Sequence, residues 1–204
     1  CRPRQPAAAA RRQAPPEVIG WQLPHAVKLG EREYRIHADY RDILDIIQRL
    51  SDPDEDERVR LYVALHLFYA DFKAIPPDLQ QDAARQMMLF IAGGVEDSGP
   101  PGPKLFDWEQ DWDMIVSGIN KAAGCEVRAL PFCHWWTFLA WFGAIGEGQF
   151  STVVSIRDKL RRGKKLEKWE QEYYRQNRAR VTLRPRYTAE ELAEQERLKK
   201  LLGE

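Results

Sequence analysis

Cys133 and His134 stand side by side, a nucleophile next to a base, where a helix should begin. Neighbours on a helix point about 100° apart, so the two side chains cannot hydrogen-bond each other and a catalytic thiol is not expected. Adding Cys125 gives a Cys-x7-Cys-His spacing, which matches no zinc arrangement. Cys133 reads instead as a small buried apolar residue, and His134 as a helix-start residue with one hydrogen bond. Asp107 and Asp111, one helical turn apart, could act with Glu109 and Asp113 as paired carboxylates. Acidic residues in a first turn also stabilise the positive end of a helix, and Asp107 stands where such an end should fall. Gly143-x-x-Gly146-x-Gly148 follows a helix rather than a strand and lacks the Lys-Ser/Thr ending of a phosphate loop. The expectation is a protein without a reaction centre: no enzyme, no cofactor and no metal.

A second grouping could bind rather than react. Lys159, Arg161, Arg162, Lys164, Lys165 and Lys168 lie beside Trp169, Tyr173 and Tyr174, and basic groups with interleaved aromatics can hold a single nucleic-acid strand. The rings fall at helical spacing, however, and the chain carries 31 basic and 31 acidic residues, so packing explains them more simply. The balance hides an asymmetry. Residues 39–113 hold 17 Asp+Glu against 7 Lys+Arg, and residues 157–186 hold 12 Lys+Arg against 4 Asp+Glu. Such polarity can steer an oppositely charged partner, or let copies of the chain attract one another head to tail.

These residues need a scaffold, and 204 residues suffice for one domain with a hydrophobic core and extensions. Residues 1–17, rich in Pro, Ala and Arg, lack apolar periodicity and are expected to be disordered. Val27 and Leu29, Gly30-Glu31, then Tyr34 and Ile36 fit a β-hairpin. Asp39 predicts the N-cap of a helix to about Leu50, with Ile43, Ile46, Ile47 and Leu50 on one face. Val59, Tyr62, Val63, His66, Leu67 and Ala70 predict the buried face of a second helix. Pro76-Pro77 open a third, which Gly93-Gly94 stop. Trp108, Trp112, Ile115 and Ile119 form a stripe that ends at Gly124.

Residues 129–146 carry no charge over 18 positions, but Pro131, Gly143 and Gly146 confine the helix to about 132–145. Fourteen residues reach only about 21 Å of a hydrocarbon layer about 30 Å thick, so a buried helix is expected and not a membrane span. Trp135 or Trp136 and Trp141 should sit in the core, with Ala140 and Gly143 letting another helix approach. Beyond it, Leu166, Trp169 and Tyr173 predict a ridge on a basic helical arm, and Thr188 with Glu191 forms a capping box before a last helix. The fold class is therefore mainly α: a helical bundle with a small N-terminal β-hairpin and a basic C-terminal arm. The boundaries are a tail at 1–17, a core domain at 18–160 and a charged extension at 161–204. Three cysteines at unrelated spacings argue for a reducing compartment, hence the cytoplasm.

Asp107-Trp108-x-x-Asp111-Trp112-x-x-Ile115, then His134-Trp135-Trp136-x-Phe138, then Arg157 with a Lys-rich, Tyr-containing helix, resemble the bacteriophage gene-product-fifteen family. Leu23-Pro24, Gly30-x-x-x-Tyr34-x-Ile36, Asp39-Tyr40-Arg41, Phe68-Tyr69 and Phe90-Ile91-Ala92-Gly93-Gly94 fall in the same order. The resemblance spans roughly residues 21–183, and His-Trp-Trp is its most specific part. It implies a phage or prophage protein in the host cytoplasm, similar to tail assembly chaperones that bind the tape-measure protein and deliver tail-tube subunits. Trp108, Trp112, His134, Trp135, Trp136, Arg157, Lys164, Lys165 and Lys168 are the expected protein-binding residues. The alternative is a phage accessory protein that binds nucleic acid through the basic arm.

Overall fold

The computed structural model describes residues 22–96, 99, 102–184, 191 and 193. Strands β1 (Ala26–Leu29) and β2 (Arg32–Arg35) pair antiparallel with Leu29 opposite Arg32, leaving Gly30-Glu31 as the turn. Gly30 has φ +60° and no described non-glycine residue has positive φ, so the one left-handed position of the turn falls on glycine. Leu29, Tyr34 and Ile36 are buried. The hairpin is anchored where Ile36 bridges to Tyr69 and His37 N donates to Phe68 O at 2.8 Å.

Helix α1 (Tyr40–Leu50) starts where Asp39 accepts from Arg41 N, and α2 (Glu57–Phe68) where Asp56 accepts from Arg58 N and Val59 N. These caps satisfy N–H groups that a helix start leaves without partners. A 3-10 turn at Pro77–Leu79 leads into α3 (Gln80–Ile91). Helix α4 (Trp112–Ala123) closes at Gly124, φ +69°. Then come α5 (Trp135–Gly143), α6 (Gln149–Arg161), α7 (Lys168–Gln176) and α8 (Arg178–Val181). Ile43, Ile46, Phe68, Ala83, Met87, Ile115, Ile119 and Phe138 lose all solvent contact in the shared core. The mainly α class with an N-terminal hairpin is thus observed.

Three expected faces differ. Helix α2 buries Ala64, Leu65 and Phe68, while Val59, Tyr62 and Leu67 are exposed. Its sequence, ERVRLYVALHLF, is apolar on nearly every side, so periodicity cannot choose the face; contact with α1, α3 and the hairpin chooses it. Helix α5 begins only at Trp135, because His134 is its cap, and Phe132 is exposed. Trp135 is buried, whereas Trp136 and Trp141 are half-buried and Ala140 and Gly143 face solvent. The close approach is made on α4 instead, where a Cβ on Gly118 would lie 2.8 Å from Ile145 Cγ2. No described helix is long and apolar enough to cross a membrane.

The chain after α6 turns back at Gly163, φ +63°, rather than standing off as an arm. Leu166 and Val181 join Met114, Val153 and Ile156 in a second buried cluster, with Tyr173 and Tyr174 against it. Trp169 is exposed, and the adjacent Glu170 takes the inward position. That carboxylate is held below its usual pKa range, chiefly by the bond from Lys159 Nζ at 2.5 Å. The expected tail at 1–17 lies outside the described residues, as does Thr188 of the capping box.

Phe138→Ala removes a fully buried ring and should cost about 3–5 kcal/mol in urea unfolding. Trp141→Ala removes a half-buried ring and should cost clearly less. A larger loss at 141 than at 138 would relocate the core's centre.

Candidate protein-binding groove

Arg157 projects from α6 into the protein with only 6% of its surface exposed. Nη1 and Nη2 grip Asp111 Oδ2 and Oδ1 at 2.6 and 2.9 Å. Nε donates to Val181 O, Nη1 also to Leu105 O and Nη2 also to Arg180 O, at 2.7–3.0 Å. All five guanidinium N–H groups therefore find acceptors, the condition under which a buried charge is tolerated. Asp111 Oδ2 further accepts from Asp107 N at 3.0 Å. Asp107 Oδ1 accepts from Glu109 N and Gln110 N, and its Oδ2 pairs with Lys104 Nζ at 2.7 Å. The suspected acid–base pair is thus engaged in holding a turn: Asp107 caps it and Asp111 neutralises Arg157.

This turn presents Leu105, Phe106 and Trp108 toward α1. Between them and α1 runs a groove of about 500 Å³, lined by Ile47, Phe106, Trp108, Phe142, Phe150 and Val154. A second hollow of about 360 Å³ continues it past Tyr40, Leu44 and Trp112, edged by Arg41, Asp45, Glu109 and Arg128. Gln48 and Trp108 line both. The groove's rings are continuous with core rings: Trp108 lies 4.8 Å from Phe142 and 6.2 Å from Phe138, centroid to centroid. Helix α1, 11 residues long, gives the groove a length of about 16 Å, close to three turns of a partner helix.

The His-Trp-Trp element does something else. His134 Nδ1 accepts from Trp136 N at 3.1 Å, so Nε2 carries the proton and donates to Pro24 O at 2.9 Å. Burial, then the neighbouring His25, holds this imidazole below its ordinary pKa, against the opposing pull of the Pro24 carbonyl. Trp135 Nε1 and Trp136 Nε1 donate to Ile91 O and Phe90 O at 2.9 Å each; the first satisfies a carbonyl that the end of α3 would leave open, and the second joins Gly93 N on its acceptor. Gly93 and Gly94, at φ +76° and +82°, follow, and a Cβ on Gly94 would meet the Trp136 ring at 3.0 Å. Cys133 Sγ contacts the His134 carbonyl and not its ring, and burial pushes its thiol up to about 11. Among the described residues, no three His, Cys, Asp or Glu side chains group as metal ligands would.

The expected binding residues therefore separate. Trp108 and Trp112 line the groove, and Arg157 braces its wall. His134 and Trp135 are buried at the joint of α3 and α5, with Trp136 half-buried beside them. As contact residues, His134, Trp135 and Arg157 are corrected: their hydrogen bonds turn them inward. Lys164, Lys165 and Lys168 are exposed. Sequence reasoning did not assemble Leu44, Ile47, Phe106, Phe142 and Phe150 into a surface. The signal for Phe142 was the uncharged 129–146 stretch, read there as wholly buried.

Fold and site define a mainly α protein with an aromatic-lined cleft held open by a buried ion pair. The chain belongs to the Bacteriophage Gp15 protein family, whose model matches residues 21–183, from just before the hairpin to just after α8. It is a phage protein. Comparisons with curated proteins and with solved structures gave no match.

Asp111→Ala strands a buried guanidinium and should destabilise by about 3–5 kcal/mol in chemical unfolding. A loss under about 1 kcal/mol would show that the knot is not needed. His134, lowered in the folded state, binds its proton more readily once unfolded, so its contribution is complete above about pH 6.5 and is lost as pH falls. Urea midpoints should therefore drop between neutral and mildly acid pH, and His134→Asn, which can still cap α5, should flatten that drop.

Proposed function

We propose that this phage protein is a tail-assembly chaperone that works in the host cytoplasm by binding, without catalysing a reaction, and whose partners are the tape-measure and tail-tube proteins. The observation that carries this reading is the groove. Its aromatic lining and three-turn length suit an amphipathic helix laid apolar face down, and tape-measure proteins are the long helical partners the family resemblance implies. The rim of Arg41, Asp45, Glu109 and Arg128 can set the register of such a helix.

The nucleic-acid reading rests on Trp169, exposed among Lys164, Lys165 and Lys168. It is the weaker reading, because Tyr173 and Tyr174 are packed against the second cluster, which leaves one ring where a stacking platform needs several.

The test is co-expression of the full chain with the tape-measure and tube proteins of the same phage, followed by co-purification. Gln48→Arg, an exposed position lining both hollows, should reduce recovery of the partner at least about tenfold while leaving stability within about 0.5 kcal/mol. Trp108→Ala should do the same with some loss of stability. Undiminished capture by both variants would exclude the groove as the binding site.

A further inference from the structure

Helix α2 carries an apolar face left exposed among the described residues. Val59, Tyr62 and Leu67 are 46%, 56% and 38% exposed. The Tyr62 ring is not loose: it lies 4.3 Å from His66 and 5.9 Å from Phe72, centroid to centroid. Directly before this face the chain turns through Asp52, Asp54, Glu55, Asp56 and Glu57. An ordered aromatic thus projects beside a strongly acidic turn.

The turn between α6 and α7 is built in the opposite sense. Leu160 and Trp169 are 41% and 55% exposed, and Trp169 Nε1 is oriented by Glu167 Oε2 at 2.8 Å. Around them stand Arg161, Arg162, Lys164, Lys165 and Lys168, all exposed. Arg161 and Arg162 share Asp158, whereas Lys164, Lys165 and Lys168 form no ion pair among the described residues. Each surface therefore pairs a pre-oriented ring and an aliphatic side chain with charge predominantly of one sign, acidic before α2 and basic between α6 and α7.

We propose that the α2 face of one copy docks on the α6–α7 turn of a second copy of this chain, head to tail. Within one chain α2 packs on α1 and α3, while α6 and α7 pack on α4 and α8, so the two surfaces belong to different parts of the body and meet between copies. A two-fold pairing of α2 faces would bring two acidic turns into one interface and leave both basic turns unused. Charge complementarity selects the heterologous arrangement, which leaves one unused surface of each kind at the ends and can grow further. Rings already held in place lose little freedom on docking. Surfaces this small belong to the weak, transient class of contacts, which suits reversible assembly.

The experiment is analytical ultracentrifugation of the full chain over a concentration series. Salt at about 0.1 M and about 1 M gives Debye lengths of about 10 Å and about 3 Å. At the lower salt the mean mass should climb from 23.7 kDa past that of a pair, and at the higher salt association should weaken at least about tenfold. Two neutralising variants divide the surfaces. One carries Glu55→Gln, Glu57→Gln and Tyr62→Ser, sparing the cap Asp56; the other carries Lys164→Gln, Lys165→Gln, Lys168→Gln and Trp169→Ser. Each alone should remain monomeric, and their equimolar mixture should form a pair and stop there, which also shows both to be folded. A wild type that stays monomeric at both salts, or variants that associate as the wild type does, would overturn the proposal. So would a single-stranded oligonucleotide bound by the wild type and lost with the lysines while self-association is unchanged.

Discussion

A guanidinium can be buried only where every N–H group finds an acceptor, and meeting that condition at Arg157 organises half of the molecule. Asp111 supplies two of the acceptors and the charge; the carbonyls of Leu105, Arg180 and Val181 supply the rest. One side chain of α6 thereby fixes the turn before α4 and the last helical turn of α8. The stabilisation relative to an apolar replacement is small in general. What the ion pair secures is geometry, because the Leu105 carbonyl that Arg157 holds belongs to the segment that forms the groove wall.

The aromatic residues divide by their polar atoms. Trp135 and Trp136 donate to carbonyls at the end of α3, which buries the Trp135 ring and seats the half-buried Trp136 ring against Gly94. Tyr69 behaves alike, its hydroxyl donating to Ala83 O at 2.9 Å. Trp108 and Trp112 lack such an anchor among the described hydrogen bonds and line the groove, half-buried, Trp108 tilted against Phe138 and Trp112 stacked on it. A ligand in the groove would therefore contact rings that themselves touch Phe138 and, through it, Tyr40 at 4.4 Å. Binding and core packing are coupled by direct contact.

Groove, acidic α2 face and basic turn each have their own chemistry. In the proposed reading one surface holds a client while the others join copies. On that proposal the apolar lining would supply affinity in the groove, and the charged surfaces orientation and salt dependence. The family assignment makes the chain a phage protein; the surfaces suggest how such a protein could work.

Local features were legible from sequence because their physics spans only a few residues. The Gly30-Glu31 turn, the Asp39 cap, the Gly93-Gly94 and Gly124 stops and the helical spacing around Ile115 each follow from one backbone requirement. Asp107 was legible as a turn-start acid for the same reason. The face of α2 was not, since a helix apolar on nearly every side can bury any of them and only its neighbours decide. Nor was the partnership of Asp111 with Arg157, 46 residues apart, for no local pattern marks a pair closed by tertiary folding. Residue types alone determined a helical chain with aromatic anchors, an acidic stretch at 39–113 and a basic one at 157–186. Which tryptophans are anchored at the joint of α3 and α5 and which line a groove was decided by where the carbonyls at the end of α3 lie in space.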